Sequence, residues 1–339
     1  MHRPPATLAD VAERAGVSRQ TVSNAINNPD LLRPETLARV QAAIEELGYT
    51  PNLAARQLRT RTSRLIGLRL SPAQEFTANM AMDRFVRSLV EAAREVGYHV
   101  LLFSGGPVAE GERPDPLGGY DDLLRSTAVD AFVVTDTYLG QPQTAVLAAR
   151  QAPFVAFGRP WDDPGAAHPW VDVDGAAGVE AATAHVHALG HERIAWLGWR
   201  PGSPIGEDRR SGWQRAMTAR GLSSTGLEAA VDDTVADGSA AASALLDDVA
   251  PTAFVCASDT LAVGVLYALS ERGLRPGRDV AVVGFDDSQV AQVMGLTSVR
   301  QPLEQVAVEI VADLTSLLGP GEYDACGRLL APTLAVRQT

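Results

Sequence analysis

Arg19, Gln20 and Asn24 stand close together in the string VSRQTVSNAIN. Their side chains suit base edges: a guanidinium donates a bidentate pair to guanine, and a carboxamide pairs with adenine. Thr7, Ser18, Thr21, Ser23 and Asn27 lie before, among and after them. Short hydroxyls and amides of this kind donate to phosphate oxygens, which fixes register and carries no sequence information.

The elements that would hold these groups are legible. Leu8, Val11, Ala12 and Ala15 recur at helical spacing. Thr7 can cap that helix, with Asp10 as its partner three residues on. Gly16 supplies a left-handed stop and Val17 an apolar plug. Ser18 caps a second helix, with Val22, Ala25 and Ile26 as its buried stripe. Two short helices joined this tightly form a helix-turn-helix. An ordinary helical hairpin is the bland alternative, and three features argue against it. The outer face of the second helix is polar and uncharged except for Arg19. A third helix follows at about 34–47, with Pro34 in its first turn, Gly48 as its stop, and Leu37, Val40, Ile44 and Leu47 on one face. Then TPNLAARQLR, 50–59, is a helix start too short to be stable alone. Beside a second copy on DNA it could become helical, with Leu58 wedged into a minor-groove step and Arg56, Arg59, Arg61 and Arg64 near phosphates.

Charge divides the chain the same way. All 29 basic residues are Arg, and the formal net charge is −12. Residues 1–64 carry nine arginines against six carboxylates, a net +3, so the rest carries −15. A basic head on an acidic body keeps the attraction to phosphate local.

From Leu65 strand-like runs alternate with amphipathic helical stretches. The strand-like runs are 65–70, 99–103, 131–135, 153–157, 170–173, 193–197, 252–257 and 280–285; helical stretches include 83–96, 176–189, 259–272 and 303–318. This predicts a parallel α/β body, and about eight such units predict two lobes. Ligands of open α/β sheets bind beyond the carboxyl ends of strands. Arg159 and Trp161, Gly198 and Trp199, Ser258 and Asp259, and Asp286 and Asp287 follow strand-like runs. All five tryptophans, at 161, 170, 196, 199 and 213, fall within 53 residues assigned to the second lobe. Indole faces stack on sugar rings, and Asp and Arg bind vicinal hydroxyls. Each residue also has a plain alternative: Trp196 as core, Asp259 as a helix cap, Asp286 and Asp287 as turn acids, Arg159 as an ion-pair partner.

The strings LADVAERAGVSRQTVSNAIN and LGYTPNLAARQLRTRTSRLIGL resemble the headpiece and hinge of the lac repressor (LacI/GalR) family. ASDTLAVGVLYAL, DVAVVGFDDSQ, TSVRQP and HALGHERIAWLG are similar to its effector domain, so the resemblance spans essentially the whole chain. It implies an α/β protein with an N-terminal all-α helix-turn-helix headpiece (1–50), a hinge (51–64) and a two-lobed periplasmic-binding-protein-like effector and dimerisation domain (65–339). It implies that Arg19, Gln20 and Asn24 read bases, and that Asn52, Ala55 and Leu58 face the minor groove, Leu58 as the intercalating leucine. It also implies that Arg209, Trp213, Asp259 and Gln301 contact an effector, with Arg159, Trp161 and Trp199 beside them. Three strand crossings are expected near 158–165, 286–296 and 319–326. One departure is Glu180, six residues after Asp174, where family members often carry an Arg that touches sugar. That argues against a simple lactose-like site.

The function expected is a sequence-specific, DNA-binding transcriptional regulator, a repressor. It would bind a near-palindromic double-stranded operator as a homodimer and answer to a small-molecule effector, a mono- or disaccharide. A transport-type sugar-binding protein, or a repressor sensing a purine or phosphosugar, is the alternative. Enzyme chemistry finds no support. There is no H-E-x-x-H, G-x-S-x-G or phosphate loop, and the absence of lysine excludes Schiff-base and P-loop mechanisms. No cofactor or metal is expected, since Cys256, Cys326 and the six histidines form no ligand spacing. No apolar run has the length of a membrane span and no secretory leader is evident, so a cytoplasmic location is expected. The Gly- and Pro-rich loop 104–120 is expected to move, and no heptad tail follows LLAPTLAVR to build a coiled-coil tetramer.

Overall fold

A computed structural model of the chain describes residues 6–49, 62–70, 80–105, 115, 117–135, 137–163, 165–321, 323 and 327–339. The chain divides into two compact units, Met1–Ser63 and Arg64–Thr339.

The first unit is helical: α1 (Leu8–Ala15), α2 (Arg19–Asn27), a 3-10 turn (Pro29–Leu31) and α3 (Pro34–Leu47). Val11, Ala12, Ala15, Val22, Ala25, Val40 and Ala43 form its core. Thr7 and Asp10 make the capping box: the Thr7 backbone N–H donates to Asp10 Oδ2 at 2.7 Å and the Asp10 N–H to Thr7 Oγ1 at 3.4 Å. The Thr7 N–H and, at 2.8 Å, the Thr7 hydroxyl both donate to the exposed Asp10 carboxylate and hold it below its ordinary pKa. Gly16 ends α1 at φ 65°, the left-handed region open to glycine without a Cβ clash. Gly48 does the same for α3.

The second unit has two lobes, each on a six-stranded sheet. The first lobe orders its strands β11 (Gly327–Leu330), β5 (Trp170–Val173), β4 (Phe154–Phe157), β3 (Ala131–Val134), β1 (Leu65–Arg69) and β2 (His99–Phe103), all parallel. The second orders β12 (Thr333–Ala335), β10 (Thr297–Arg300), β9 (Ala281–Phe285), β8 (Ala253–Cys256), β6 (Ile194–Trp199) and β7 (Glu228–Val231). Here β12 alone runs antiparallel, beside β10. Central strands such as AFVV of β3 and AFVC of β8 are buried throughout, as strands with both faces covered must be. Helices α4 (Met80–Glu95), α5 (Tyr120–Arg125) and α6 (Gln143–Ala149) belong to the first lobe; α8 (Pro204–Ala219), α9 (Val235–Asp248), α10 (Asp259–Glu271) and the short α11 (Gln289–Val293) belong to the second. Among the described residues no helix is long and apolar enough to cross a membrane.

The lobes are joined at three places, and these differ from the expected ones. The chain crosses at Asp174, between β5 and α7 (Gly175–Ala188); at 301–302, between β10 and α12 (Leu303–Leu317); and at 331–332, between β11 and β12. Val179, Ala182 and Val186 of α7 lie in the second-lobe core, whereas Val306, Ala307 and Ile310 of α12 lie in the first-lobe core. The segments 158–165 and 286–296 each join strands of one sheet, β4 to β5 and, through α11, β9 to β10. Segment 158–165 leads from β4 to β5, and these two strands pair directly, Ala156 with Trp170 and Phe157 with Val171. Trp170 is therefore a first-lobe strand residue, and Trp161 follows a first-lobe strand, so only Trp196, Trp199 and Trp213 lie in the second lobe. All eight anticipated strands are present; β7, β10, β11 and β12, of three or four residues each, complete the sheets.

Candidate functional site

The headpiece presents a polar face on α2. Ser18 caps the helix, its Oγ accepting the Thr21 N–H at 3.1 Å and lying 2.9 Å from Thr21 Oγ1. Val22 is fully buried, which turns Arg19 and Gln20 out to solvent. Gln20 Nε2 donates to Asn24 Oδ1 at 3.0 Å, so the two carboxamides stand together one turn apart. Asn27 Nδ2 donates to the Ser23 carbonyl at 2.7 Å. Thr7 and Ser18 spend a side-chain acceptor on their helix starts; their hydroxyls lie beside the first backbone N–H groups, where anions are held well. The hinge residues Asn52, Ala55 and Leu58 lie outside the described residues, as do Arg56, Arg59 and Arg61.

In the second unit a cleft of about 360 Å³ opens between the lobes. Six of the seven expected effector residues line it: Arg159, Trp161, Trp199, Arg209, Asp259 and Gln301. Trp213 does not. It is fully buried in the second-lobe core, stacked 6.5 Å from Trp196, with its Nε1 donating to the Ile194 carbonyl at 3.2 Å. The cause is position along the helix: Trp213 lies one turn beyond Arg209 on the same face of α8, and that turn packs against β6 at Ile194, while Arg209 reaches the cleft. Glu180 pairs with Arg215 at 3.4 Å on the surface and does not line the cleft.

Four aspartates that sequence reasoning did not assign complete the cleft: Asp172, Asp208, Asp233 and Asp286. The first was visible as an acid inside a strand run and the last as a residue just past one. Arg159, from the loop after β4, ties three groups together. Its Nε donates to Asp172 Oδ2 at 2.6 Å, its Nη2 to the Val173 carbonyl at 3.1 Å, and its Nη1 to Asp208 Oδ1 across the cleft at 3.3 Å. Its guanidinium also lies over the Trp161 ring, 4.5 Å from the centroid. Asp208 accepts the Ala176 N–H at 3.0 Å, and burial raises its pKa against the pull of Arg159.

Arg209 is buried, and desolvation lowers its pKa. Its Nη1 donates to the Ala257 carbonyl at 2.5 Å, and its guanidinium covers the Phe285 ring at 3.6 Å and the Trp199 ring at 5.0 Å. Asp286 stands 3.9 Å from Arg209 Nη2 and accepts from Gln301 Nε2 at 2.6 Å. Desolvation pushes its carboxyl up to about 7 despite Arg209. Asp259 is no cap; Ser258 takes that role. Its Oδ1 accepts from Ser298 Oγ at 2.6 Å and its Oδ2 from the Ser288 N–H at 2.7 Å, while burial raises its pKa. Trp161 Nε1, Trp199 Nε1 and Arg209 Nε are buried donors without a hydrogen-bond partner. The cleft thus offers indole faces, spare N–H donors and carboxylate acceptors, and both of its arginines already face aspartates.

A helix-turn-helix headpiece joined to a two-lobed domain with a cleft is the architecture of a helix-turn-helix transcriptional regulator. Comparison with known proteins agrees. Residues 7–52 match the bacterial regulatory proteins of the lacI family, and residues 183–339 match the periplasmic binding protein-like domain. The chain is 35% identical over 339 residues to the HTH-type transcriptional regulator CelR of Thermobifida fusca, covering 98% of each. It is 30% identical over 334 residues to AglR of Rhizobium meliloti, covering 94% of this chain and 90% of that one. A structure of a CelR–cellobiose complex aligns with TM-score 0.72 and 33% identity, covering 99% of each chain. The lac repressor dimer bound to operator and the anti-inducer ONPF aligns with TM-score 0.80 and 28% identity, again over 99% of each. The chain belongs to the lacI family of bacterial transcriptional regulators.

Proposed function

We propose that the protein is a dimeric repressor that releases or grips a near-palindromic operator according to whether a neutral mono- or disaccharide occupies the cleft. A gluco-configured disaccharide such as cellobiose is the first candidate. One observation carries the effector class: Trp161 and Trp199 line the cleft with their indole N–H groups unpartnered, beside arginines that aspartates already engage. Stacking needs an apolar ring face, and hydroxyls around its rim need mixed donors and acceptors. A phosphorylated ligand needs uncommitted cations, and here five cleft aspartates outnumber two arginines. The CelR structure with cellobiose supports the same class. Arg19, Gln20 and Asn24 read base edges in this proposal, Thr7, Ser18, Thr21, Ser23 and Asn27 contact phosphates, and Asn52, Ala55 and Leu58 enter the minor groove. Residues 1–50 serve as headpiece, 51–64 as hinge and 65–339 as effector and dimerisation domain. The chain binds and does not catalyse, in keeping with a family of regulators, and works in the cytoplasm where the operator is.

Calorimetry with cellobiose, other neutral sugars, a purine and a sugar phosphate tests the assignment. A neutral sugar should bind, and Trp199→Ala should weaken it roughly tenfold or more, about 1.4 kcal/mol. Operator affinity without sugar should be unchanged in that variant. Tight binding of the purine or phosphosugar with none of the sugars overturns the effector class and leaves the regulator assignment standing.

A further inference from the structure

Asp286 and Asp287 are adjacent in the turn after β9, yet their side chains go to opposite destinations. Both sit at positive φ, 113° and 51°, a region that residues other than glycine occupy sparingly. That backbone sends Asp286 into the cleft, to Gln301 and Arg209. It sends Asp287 away, into a site where its side chain is fully buried. There Arg337 donates Nη2 to Asp287 Oδ1, and the exposed Arg300 lies 2.9 Å from Oδ2. The second contact lacks hydrogen-bond geometry, since Oδ2 has no donor directed at it. Arg337 is therefore the arginine that hydrogen-bonds the buried carboxylate, and the exposed Arg300 adds only its charge. It is fastened in turn: Nη1 donates to the Leu296 carbonyl at 2.6 Å and its backbone N–H to Thr297 Oγ1 at 3.0 Å. Thr339 continues the anchor, with its Oγ1 donating to the Val282 carbonyl at 2.7 Å and accepting the Thr297 N–H at 2.8 Å. Neither Asp287 nor Arg337 lines the cleft.

We propose that Arg337 is a positioning residue for effector binding: it neutralises Asp287, and Asp287 holds the left-handed turn that aims Asp286 into the cleft. This rests on the reading of the cleft as the effector site. The physical reason is that a buried carboxylate stripped of its partner is strongly unfavourable and moves toward water. The Asp287 backbone would move with it. Its N–H bond to Ser298 Oγ, 2.9 Å, and the Ser298 Oγ bond to Asp259 would be disturbed together. The cleft would lose its arrangement of acids without losing a single lining residue.

The test is a double-mutant cycle on the full-length chain, read by calorimetry with cellobiose and by operator binding without sugar. Arg337→Gln and Asp287→Asn should each weaken cellobiose about tenfold while operator affinity holds. The double variant should be no worse than the weaker single, because the two residues act as one unit. Unchanged cellobiose affinity in the singles, or losses that multiply in the double, overturns the proposal. Where Arg337→Gln does not fold, Asp287→Asn, which keeps the shape and breaks the ion pair that ties the turn to Arg337, decides by the same criterion.

A ligand-free readout separates this inference from the sugar reading. Tryptophan fluorescence followed against pH reports the carboxyl of Asp286, which faces Arg209 over Trp199, Asp259, Asp233 and, across the lobes, Arg84. A midpoint near neutrality should move by about half a unit or more in Arg337→Gln. If no sugar binds but the midpoint moves, the effector class falls and the positioning role stands; an unmoved midpoint overturns the positioning role.

Discussion

Arg19 and Gln20 are exposed on α2 because Val22 and Ala25 turn a different face of the helix into the core. Replacing Arg19 by Ala leaves that stripe intact and removes one bidentate donor. Selection of binding sites from a random pool should show relaxed preference at one base pair in each half-site, with a loss of about 1–3 kcal/mol on the original operator. Recovery of the original motif at full strength would remove Arg19 from the base readers. At the cleft, Asp286 holds its proton far more tightly than its ordinary value of 3.8, up to about 7. Between those values the folded chain binds more protons than the unfolded chain. Stability contributed by this group is therefore greatest at low pH, declines as pH rises from about 4 to 7, and is flat above. Asp286→Asn should remove that part of the slope in thermal melts between about pH 4 and pH 7. Asp208 and Asp259 are shifted in the same direction, so a weaker slope of the same sign remains. A slope identical in variant and parent would show that Asp286 ionises normally.

At the scale of elements, the cleft depends on how closely α7 and α8 approach. A Cβ added at Gly212 of α8 would stand 2.1 Å from the Ala176 carbonyl oxygen, which is backbone and cannot swing away. At Gly175, the first residue of α7, an added Cβ would meet Asp208 and Arg209 side chains at 3.1 Å. Small residues here let the start of α7 deliver its Ala176 N–H to Asp208, the acid that Arg159 grips from the other lobe. Gly212→Ala should push the helices apart and destabilise the domain by about 1–3 kcal/mol in denaturant melts. Effector affinity should fall with it, because Asp208 and Arg209 ride on the displaced helix. Wild-type stability in this variant would mean the helices yield without strain.

For the whole molecule, the charge split sets how it meets DNA. The head carries +3 and the remainder −15, so attraction to phosphate is confined to the head and screened by salt. Operator affinity should fall steeply and linearly on logarithmic axes between about 50 and 200 mM salt. An operator with one scrambled half-site should bind far more weakly than the intact near-palindrome, since two headpieces share one duplex in a dimer. Gel shifts over a salt series measure both. Equal affinity for the half-scrambled site would mean the chain reads DNA as a monomer.

The headpiece was legible because its causes are local: a capping box, a glycine stop and a 3.6-residue stripe need nothing beyond their own neighbours, and Thr7, Gly16, Ser18 and Gly48 all act as their spacing implied. The alternation of strands and helices was legible for the same reason, and it carried the two-lobed architecture with it. The lobe crossings were not. Glycine, proline and aspartate mark any turn, and the true crossings are one- or two-residue steps, at Asp174, 301–302 and 331–332, whose Asp or Pro does not set them apart from other turns. Trp213 shows the limit for single residues: an indole four positions from a cleft arginine belongs to the core because strand β6 covers it. The acids Asp172, Asp208 and Asp233, and the bond from Arg337 to Asp287, join residues up to 50 positions apart. Sequence alone determined which chemistry each residue could do. Tertiary structure decided which of them share one water-excluded space, because pairing of buried charges depends on distance in the fold and not along the chain.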